Sequence, residues 1–186
     1  MSAAGLILAA GAGTRFGEQT KQLADLHGKP LLQHAVDAMN QALPRAVVVL
    51  GHDAQAIRAA VDFGPAEVVL CADWARGQGY SLRAGVAALA EADAVAITLG
   101  DQPFITSAVI TAALRELGDA DAVRAVYDGK PGHPVVLSRR VLAAVPELEG
   151  DAGARELLKR FSVRRWEASH LASATDIDTQ EELARL

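Results

Sequence analysis

The sequence predicts an α/β fold, a doubly wound and mostly parallel sheet sandwiched by helices. Three observations carry this. Short, continuously apolar runs recur at residues 5–10, 46–50, 67–71 and 94–99, and such runs suit strands covered on both faces. Longer stretches between them place apolar residues at helical spacing. A run of small residues and glycine leaves the first strand, as in a Rossmann-like βα unit.

Taken in order, residues 5–10 form the first strand. Pro30 suits a first helical position ahead of a helix over residues 31–42. Residues 46–50 (AVVVL) are the second strand, and Asp53 can cap a helix over residues 54–61. After the strand at residues 67–71, residues 81–90 repeat apolar side chains at helical spacing, with Ser81 as the cap. The strand at residues 94–99 leads to a helix that Thr106 or Ser107 can cap and that runs to residue 117. Beyond residue 120 the pattern changes. Residues 122–127 and 134–138 read as strands separated by the turn-rich Asp128-Gly129-Lys130-Pro131-Gly132. That implies a hairpin or a crossing pair on the far side of the sheet. A helix over residues 151–161, a strand over 163–166 and a terminal helix over 179–186 complete the reading. No repeat, low-complexity segment or linker interrupts it, so one domain is expected over residues 1–186.

Composition bounds the function. The 186 residues are 51% hydrophobic and 22% charged, which excludes gross disorder. Aromatics are only 4%, so the core must be built from Val, Leu, Ile and Ala. A net charge of −5 without a dense Lys/Arg run argues against nucleic acid and against an anionic membrane surface. The single cysteine, Cys71, precludes an intrachain disulfide and fits a reducing compartment. No apolar run reaches the ~18 residues of a membrane span, and the N-terminal run lacks a basic leader. A cytoplasmic protein is expected.

The strongest local signal is Leu8-Ala9-Ala10-Gly11-Ala12-Gly13-Thr14-Arg15-Phe16-Gly17. Glycine permits positive φ and close approach of a ligand to the backbone. Successive exposed N–H groups make an anion-binding concavity, and Arg15 adds a forked cation suited to phosphate oxygens. Gly11-x-Gly13-x-x-x-Gly17 also resembles a dinucleotide fingerprint, which needs an acidic residue at the end of the second strand to bind a ribose. Asp37 has roughly that spacing but lies in a helical pattern. No Gly-Lys-Ser/Thr of a Walker A loop follows. Lys21 lies just beyond the loop, and Gly28-Lys29-Pro30-Leu31 opens the next helix. A lone lysine is more often a solvated surface residue, but Lys21 and Lys29 together with Arg15 favour a phosphate site.

On Leu8-Ala9-Ala10-Gly11-x-Gly13-x-Arg15-Phe16-Gly17, then Lys21, then Gly28-Lys29-Pro30-Leu31, the sequence resembles the nucleotidyltransferases, which transfer an NMP from an NTP to a phosphorylated acceptor. Phe16 stands where many members carry Met or Leu. The resemblance implies that the backbone over Leu8, Ala9, Ala10, Gly11, Ala12 and Gly13, with Arg15, holds the triphosphate. It implies that Lys21 stabilises charge at the α-phosphate, with Lys29 a second contact.

Leu99-Gly100-Asp101-Gln102-Pro103 ends the fourth strand, where ligands of parallel sheets bind. Asp101 could hold a hard cation such as Mg²⁺ beside phosphates, although a lone Asp after a strand is often a cap or turn residue. The resemblance also assigns Mg²⁺ to Asp101, and implies that Asp178, in Asp176-Ile177-Asp178-Thr179-Gln180-Glu181-Glu182-Leu183, returns to the metal. On its own, that last segment reads as a capped helix start.

Three later motifs are Gln78-Gly79-Tyr80-Ser81-Leu82-Arg83, Gly132-His133-Pro134-Val135 and Gly150-Asp151-Ala152-Gly153-Ala154-Arg155. The last begins a helix whose N–H groups and Arg155 could take an anion. With Gly-Asp-Gln-Pro, they resemble the molybdenum cofactor nucleotidyltransferases, closest to the cytidylyltransferases. That family implies a nucleotide-diphospho-sugar transferase type of fold, Gln78 and Ser81 near the nucleotide, and an acceptor held by Gly132, His133, Pro134, Asp151, Gly153 and Arg155. It implies Arg15, Lys21 and Asp101 as the catalytic residues and a molybdopterin-type acceptor. A molybdoenzyme or its maturation chaperone is the implied protein partner. Ala10, where guanylyl-transferring members carry Gly, leans toward CTP over other NTPs. A sugar-phosphate or isoprenoid acceptor remains open, as do an NAD(P)-dependent oxidoreductase and a nucleotide-binding regulator without catalysis.

Overall fold

The central sheet forms because its inner strands have no polar face. In this computed structural model all residues are described except Met1, Glu18, Glu149, 151–153 and Ala174. The chain runs β1 (Ala3–Ala9), β2 (Asp25–Leu26), β3 (Lys29–Pro30), α1 (Leu31–Ala42), β4 (Ala46–Leu50), α2 (Ala54–Ala60) and β5 (Glu67–Leu70). It continues through α3 (Gln78–Ala88), β6 (Ala94–Leu99), α4 (Ser107–Glu116), β7 (Ala122–Tyr127) and β8 (Lys130–Ser138). Then come α5 (Arg139–Leu142), α6 (Ala154–Leu158), β9 (Val163–Glu167) and α7 (Gln180–Leu183).

Seven strands align in the order β5-β4-β1-β6-β8-β7-β9. β8 alone runs antiparallel, against β6 and β7, as the residue 120 pattern change implied. β1 pairs in parallel with both β4 and β6, Leu8 standing between Val49 and Leu99. Strand alternation sends Ile7, Val48 and Leu50 to one core, with α1, α2 and α4. It sends Leu6, Val47 and Val49 to the other, with α3, α5 and α6. A third, smaller cluster joins Phe16, Ala24, Leu26, Leu31 and Ile177. It ties the first loop to the segment before α7, and so ties together two ends of the chain that carry the site.

Several local expectations are corrected. The β2–β3 ladder precedes α1, so Pro30 occupies the N-cap position and not the first helical one. Asp53 does not cap α2. Its backbone is left-handed, and its carboxylate accepts a hydrogen bond from the Thr20 hydroxyl at 2.6 Å. α3 begins at Gln78, which puts Ser81 inside the helix, buried, and not at its cap. β8 starts at Lys130 and already contains Gly132 and His133. The final helix is shorter than expected, Gln180–Leu183. Thr106 does cap α4, accepting from the Val109 N–H. The helix expected over 151–161 is described as Ala154–Leu158; Asp151 and Gly153 lie outside the described residues.

Candidate active site

The loop after β1 is held from behind. Gln22 Nε2 donates to the carbonyls of Ala9 (3.2 Å) and Gly11 (2.9 Å), and the His52 N–H donates to the Ala10 carbonyl. Gly13 has φ +59°, and a Cβ there would lie 2.9 Å from Lys21 Cβ. The glycine therefore serves both the left-handed turn and the passage of Lys21 beneath the loop. Phe16 anchors the following turn in the small core.

Lys21 is 5% exposed. Its Nζ lies 2.7 Å from Asp101 Oδ2 and 2.7 Å from Asp178 Oδ1. Burial alone would lower its pKa, but attraction and hydrogen bonding from Asp101 and Asp178 outweigh this, and the net shift is upward,. The Lys21 hydrogen bond holds Asp178 below the usual carboxylate range against the opposing effect of burial. Arg15, 76% exposed, reaches the other Asp178 oxygen at 2.9 Å.

Asp178 arrives through Ile177, which is fully buried in the small core and whose N–H donates to the Asp101 carbonyl at 3.3 Å. Its other neighbour, Asp176, accepts from Gln102 Nε2 at 2.6 Å. Burial raises the Asp176 pKa, opposed by that hydrogen bond and reinforced by repulsion from Asp101 and Asp178. Thr179 and Glu182 close a capping box on α7, so the capped-helix reading of this segment and the carboxylate reading of Asp178 hold together.

The residues fit a divalent cation. Asp101 and Asp178 both aim an oxygen at the single point Lys21 Nζ now fills, and the other oxygen of Asp101 is buried without a hydrogen-bond partner. Two carboxylates completed by phosphate oxygens and water are a usual Mg²⁺ set. Among the described residues no cluster of three or more His, Cys, Asp or Glu side chains is arranged to hold a metal.

Lys21 and Asp101, but neither Arg15 nor Asp178, line a cleft of about 360 Å³ with Leu8, Ala9, Ala10, Gly11 and Gly13 and with Trp74, Gln78 and Ser81. Ala12 lies in the loop without lining the cleft. Leu8 and Gln78 also line an adjoining pocket of about 220 Å³ with Arg124, His133 and Arg155. Gly132 and Pro134 are buried in β8 and face neither space. Lys29 is not brought to the site. Its Nζ pairs with Asp37 at 2.8 Å on the outside of α1, and the same pairing, with Gln33, removes Asp37 as a ribose ligand. A larger apolar groove of about 660 Å³ lies across α3, beside Leu70, Tyr80 and Leu142; it lacks the loop and the carboxylates, and we place function in the smaller cleft.

Sequence reasoning missed Gln22 as a loop support, Trp74, Asp176 and Arg124. Trp74 packs over Gly51, where a Cβ would lie 2.5 Å from its ring, and its edge meets His52. A Gly ending one strand and an isolated Trp after the next were the only signals for that contact.

A mostly parallel sheet with a glycine loop after its first strand and Asp101 after β6 defines an α/β protein of the nucleotide-diphospho-sugar transferase type. The chain belongs to the family described as the MobA-like NTP transferase domain, which matches residues 5–168, a family of nucleotidyltransferases. The nicotine blue oxidoreductase of Paenarthrobacter nicotinovorans is 32% identical over 193 aligned residues, covering 98% of this chain and 95% of that one. The crystal structure of Rv0371c from Mycobacterium tuberculosis H37Rv superposes with a TM-score of 0.87 at 30% identity, over 100% of this chain and 96% of that one. A manganese complex of Rv0371c gives a TM-score of 0.83 at 28% identity, over 100% and 98%. Among the described residues no helix is long and apolar enough to cross a membrane.

Proposed function

We propose that the protein transfers CMP from CTP to a phosphorylated acceptor of the molybdopterin type, with Mg²⁺ bound and pyrophosphate released. The observation that carries this is the buried Lys21 ammonium bridging Asp101 and Asp178 under the glycine loop. That arrangement puts one fixed cation and two carboxylates where a triphosphate lying on the loop would have its α-phosphate.

The acceptor phosphate is already anionic, so no side chain need take a proton from it. One of its oxygens attacks the α-phosphorus in line. The bond from that phosphorus to the bridging oxygen breaks, and the oxygen leaves as part of pyrophosphate. Catalysis then reduces to positioning and charge stabilisation. The loop N–H groups and Arg15 hold the triphosphate, and Lys21 exchanges its carboxylates for α-phosphate oxygens. Gln78 and Ser81, which line the cleft, border the nucleoside end, and Ala10, at the position where guanylyl-transferring members carry Gly, favours CTP. Asp101 and Asp178 would hold a divalent cation, which would offset charge on the α-phosphate and pyrophosphate; the manganese complex of Rv0371c supports a divalent ion. The acceptor lies toward His133 and Arg155.

A thermal-shift panel of CTP, GTP, ATP and UTP with Mg²⁺ tests donor and class together. Selective stabilisation by CTP is expected; stabilisation by GTP alone changes the donor, and stabilisation by none removes the reading.

One observation favours a second reading, an NAD(P)H-dependent oxidoreductase: the identity with nicotine blue oxidoreductase runs the length of both chains. Against it, Asp37 is engaged by Lys29 and Gln33. Asp53, just past β4, is engaged by Thr20. Titration with NADH and NADPH decides; tight binding there and none of CTP reverses the choice.

A further inference from the structure

The cleft continues past Leu8 and Gln78 into the pocket of about 220 Å³, whose walls, among the described residues, are apolar except for Gln78, Arg124, His133 and Arg155. Arg124 sits mid-strand in β7. Alternation turns its neighbours Val123 and Ala125 into one core and Arg124 to the other face, beside Ala122. The side chain is half-buried, and its Nε is shut from solvent with no hydrogen-bond partner. Among the described residues neither Arg124 nor Arg155 has a salt-bridge partner. Among the described residues the charges that bear on Arg124 are Arg155 and Arg165, both positive; burial first and these second lower its pKa.

A guanidinium removed from water among like charges is costly unless an anion completes it. His133 faces the same space with its Nδ1 buried and unpartnered. Burial, then the nearby Arg124, depresses its pKa to about 4. At neutral pH it is therefore an uncharged imidazole that adds a hydrogen bond and no further positive charge. Its backbone is fixed from behind, the Tyr127 hydroxyl donating to the His133 carbonyl at 2.6 Å.

We infer that Arg124, with Arg155 and His133, forms the site for the acceptor's phosphate monoester, next to the nucleotide cleft. The inference rests on the nucleotidyl-transfer reading for the name of the ligand, but the anion site itself stands on Arg124. A planar guanidinium fork matches the tetrahedral face of a phosphate dianion. The acceptor class is thus a small molecule whose attacking phosphate is a terminal monoester, since its two negative charges match the two guanidinium groups, Arg124 and Arg155, where a diester offers only one,.

The test uses inorganic phosphate as probe, titrated calorimetrically into wild type, Arg124→Gln and Lys21→Gln, with a parallel Mg²⁺·CTP titration of each. Arg124→Gln is expected to weaken phosphate binding about tenfold, the loss of a charge-assisted pair, and to leave Mg²⁺·CTP binding unchanged. Lys21→Gln is expected to do the reverse. Without phosphate, Arg124→Gln should melt no lower than wild type, because an unpaired buried charge has gone; with phosphate, wild type should gain more. Equal phosphate binding in wild type and Arg124→Gln overturns the inference, as does a lower melting temperature of Arg124→Gln in phosphate-free buffer. If no NTP binds any variant while phosphate still depends on Arg124, the nucleotidyl-transfer reading fails and the anion site survives.

Discussion

Lys21 Nζ and Asp178 Oδ1 stand 2.7 Å apart, although 157 positions separate them in the chain. The contact exists because Ile177 and Phe16 share one small core, which brings the segment before α7 back over the first loop. Asp176 and Asp178 flank Ile177 and diverge, one to Gln102 and one to Lys21. The C-terminal segment therefore supplies a carboxylate to Lys21 and Arg15 of the first loop region.

Removing Lys21 should leave two carboxylates facing each other without their cation. Lys21→Gln is expected to cost about 1–3 kcal/mol in the absence of metal. Added Mg²⁺ or Mn²⁺ should stabilise this variant more than wild type, because the point between Asp101 and Asp178 is then free. Thermal melts with and without the ion measure this; equal metal responses would count against the carboxylate pair as the metal site.

Asp101→Asn should lower the rate of pyrophosphate release by about two to three orders of magnitude, with an unchanged circular dichroism spectrum. Normal turnover in this variant would remove Asp101 from the machinery.

Ile177→Ala should destabilise by about 2–5 kcal/mol, as for a buried Ile truncated to Ala. It should also raise the apparent Kd for Mg²⁺·NTP, since Asp178 loses its anchor. Denaturant melts and an NTP titration give the two readouts, and an unchanged NTP affinity would separate the small core from the site.

Gly13→Ala places a Cβ against Lys21 in a left-handed turn and should cost about 1–2 kcal/mol while weakening NTP binding. The same substitution at Gly11, where φ is not positive and a Cβ would meet nothing within 4 Å, should be milder. A series of melts on the two variants checks the order.

The pH dependence has a determined sign. Asp178 is depressed below its ordinary 3.8, so its contribution is present above that value and lost as pH falls through the lower folded value. Lys21 is raised above 10.5, so its contribution is complete below 10.5 and lost as pH rises through the higher folded value. Asp176, raised by burial, opposes the first trend, losing its contribution as pH rises from 3.8. The Asp178–Lys21 pair therefore gives a plateau between about pH 5 and 10, measurable by denaturant melts across pH. In Asp178→Asn the acid limb should flatten.

Much of this was legible in the sequence. Continuous apolar runs such as AVVVL fixed the inner strands, since a parallel sheet covered on both faces admits no alternation. The loop from Leu8 to Gly17, Lys21 and Asp101 were legible because glycine, a cation and a strand-end acid are local signals. Lys29 misled, because its partner Asp37 lies eight residues on and across a helix face, and nothing local separates a surface pair from a ligand contact. Gln22 and Arg124 were missed for the opposite reason. Each acts through a long-range arrangement, one stapling carbonyls of the preceding loop, the other becoming a buried charge only when β7, β8 and α6 pack together. Ser81 and Asp53 have the side chains of helix caps, and tertiary contacts overrode that propensity.

Nucleotidyl transfer releases pyrophosphate, and that release is the measurement that decides the function. The protein is incubated with Mg²⁺, the molybdenum-loaded pterin phosphate and each NTP in turn. Pyrophosphate and a CMP–pterin product are expected with CTP, both absent when the pterin is omitted. No pyrophosphate with any NTP, in protein shown to be folded, would contradict it.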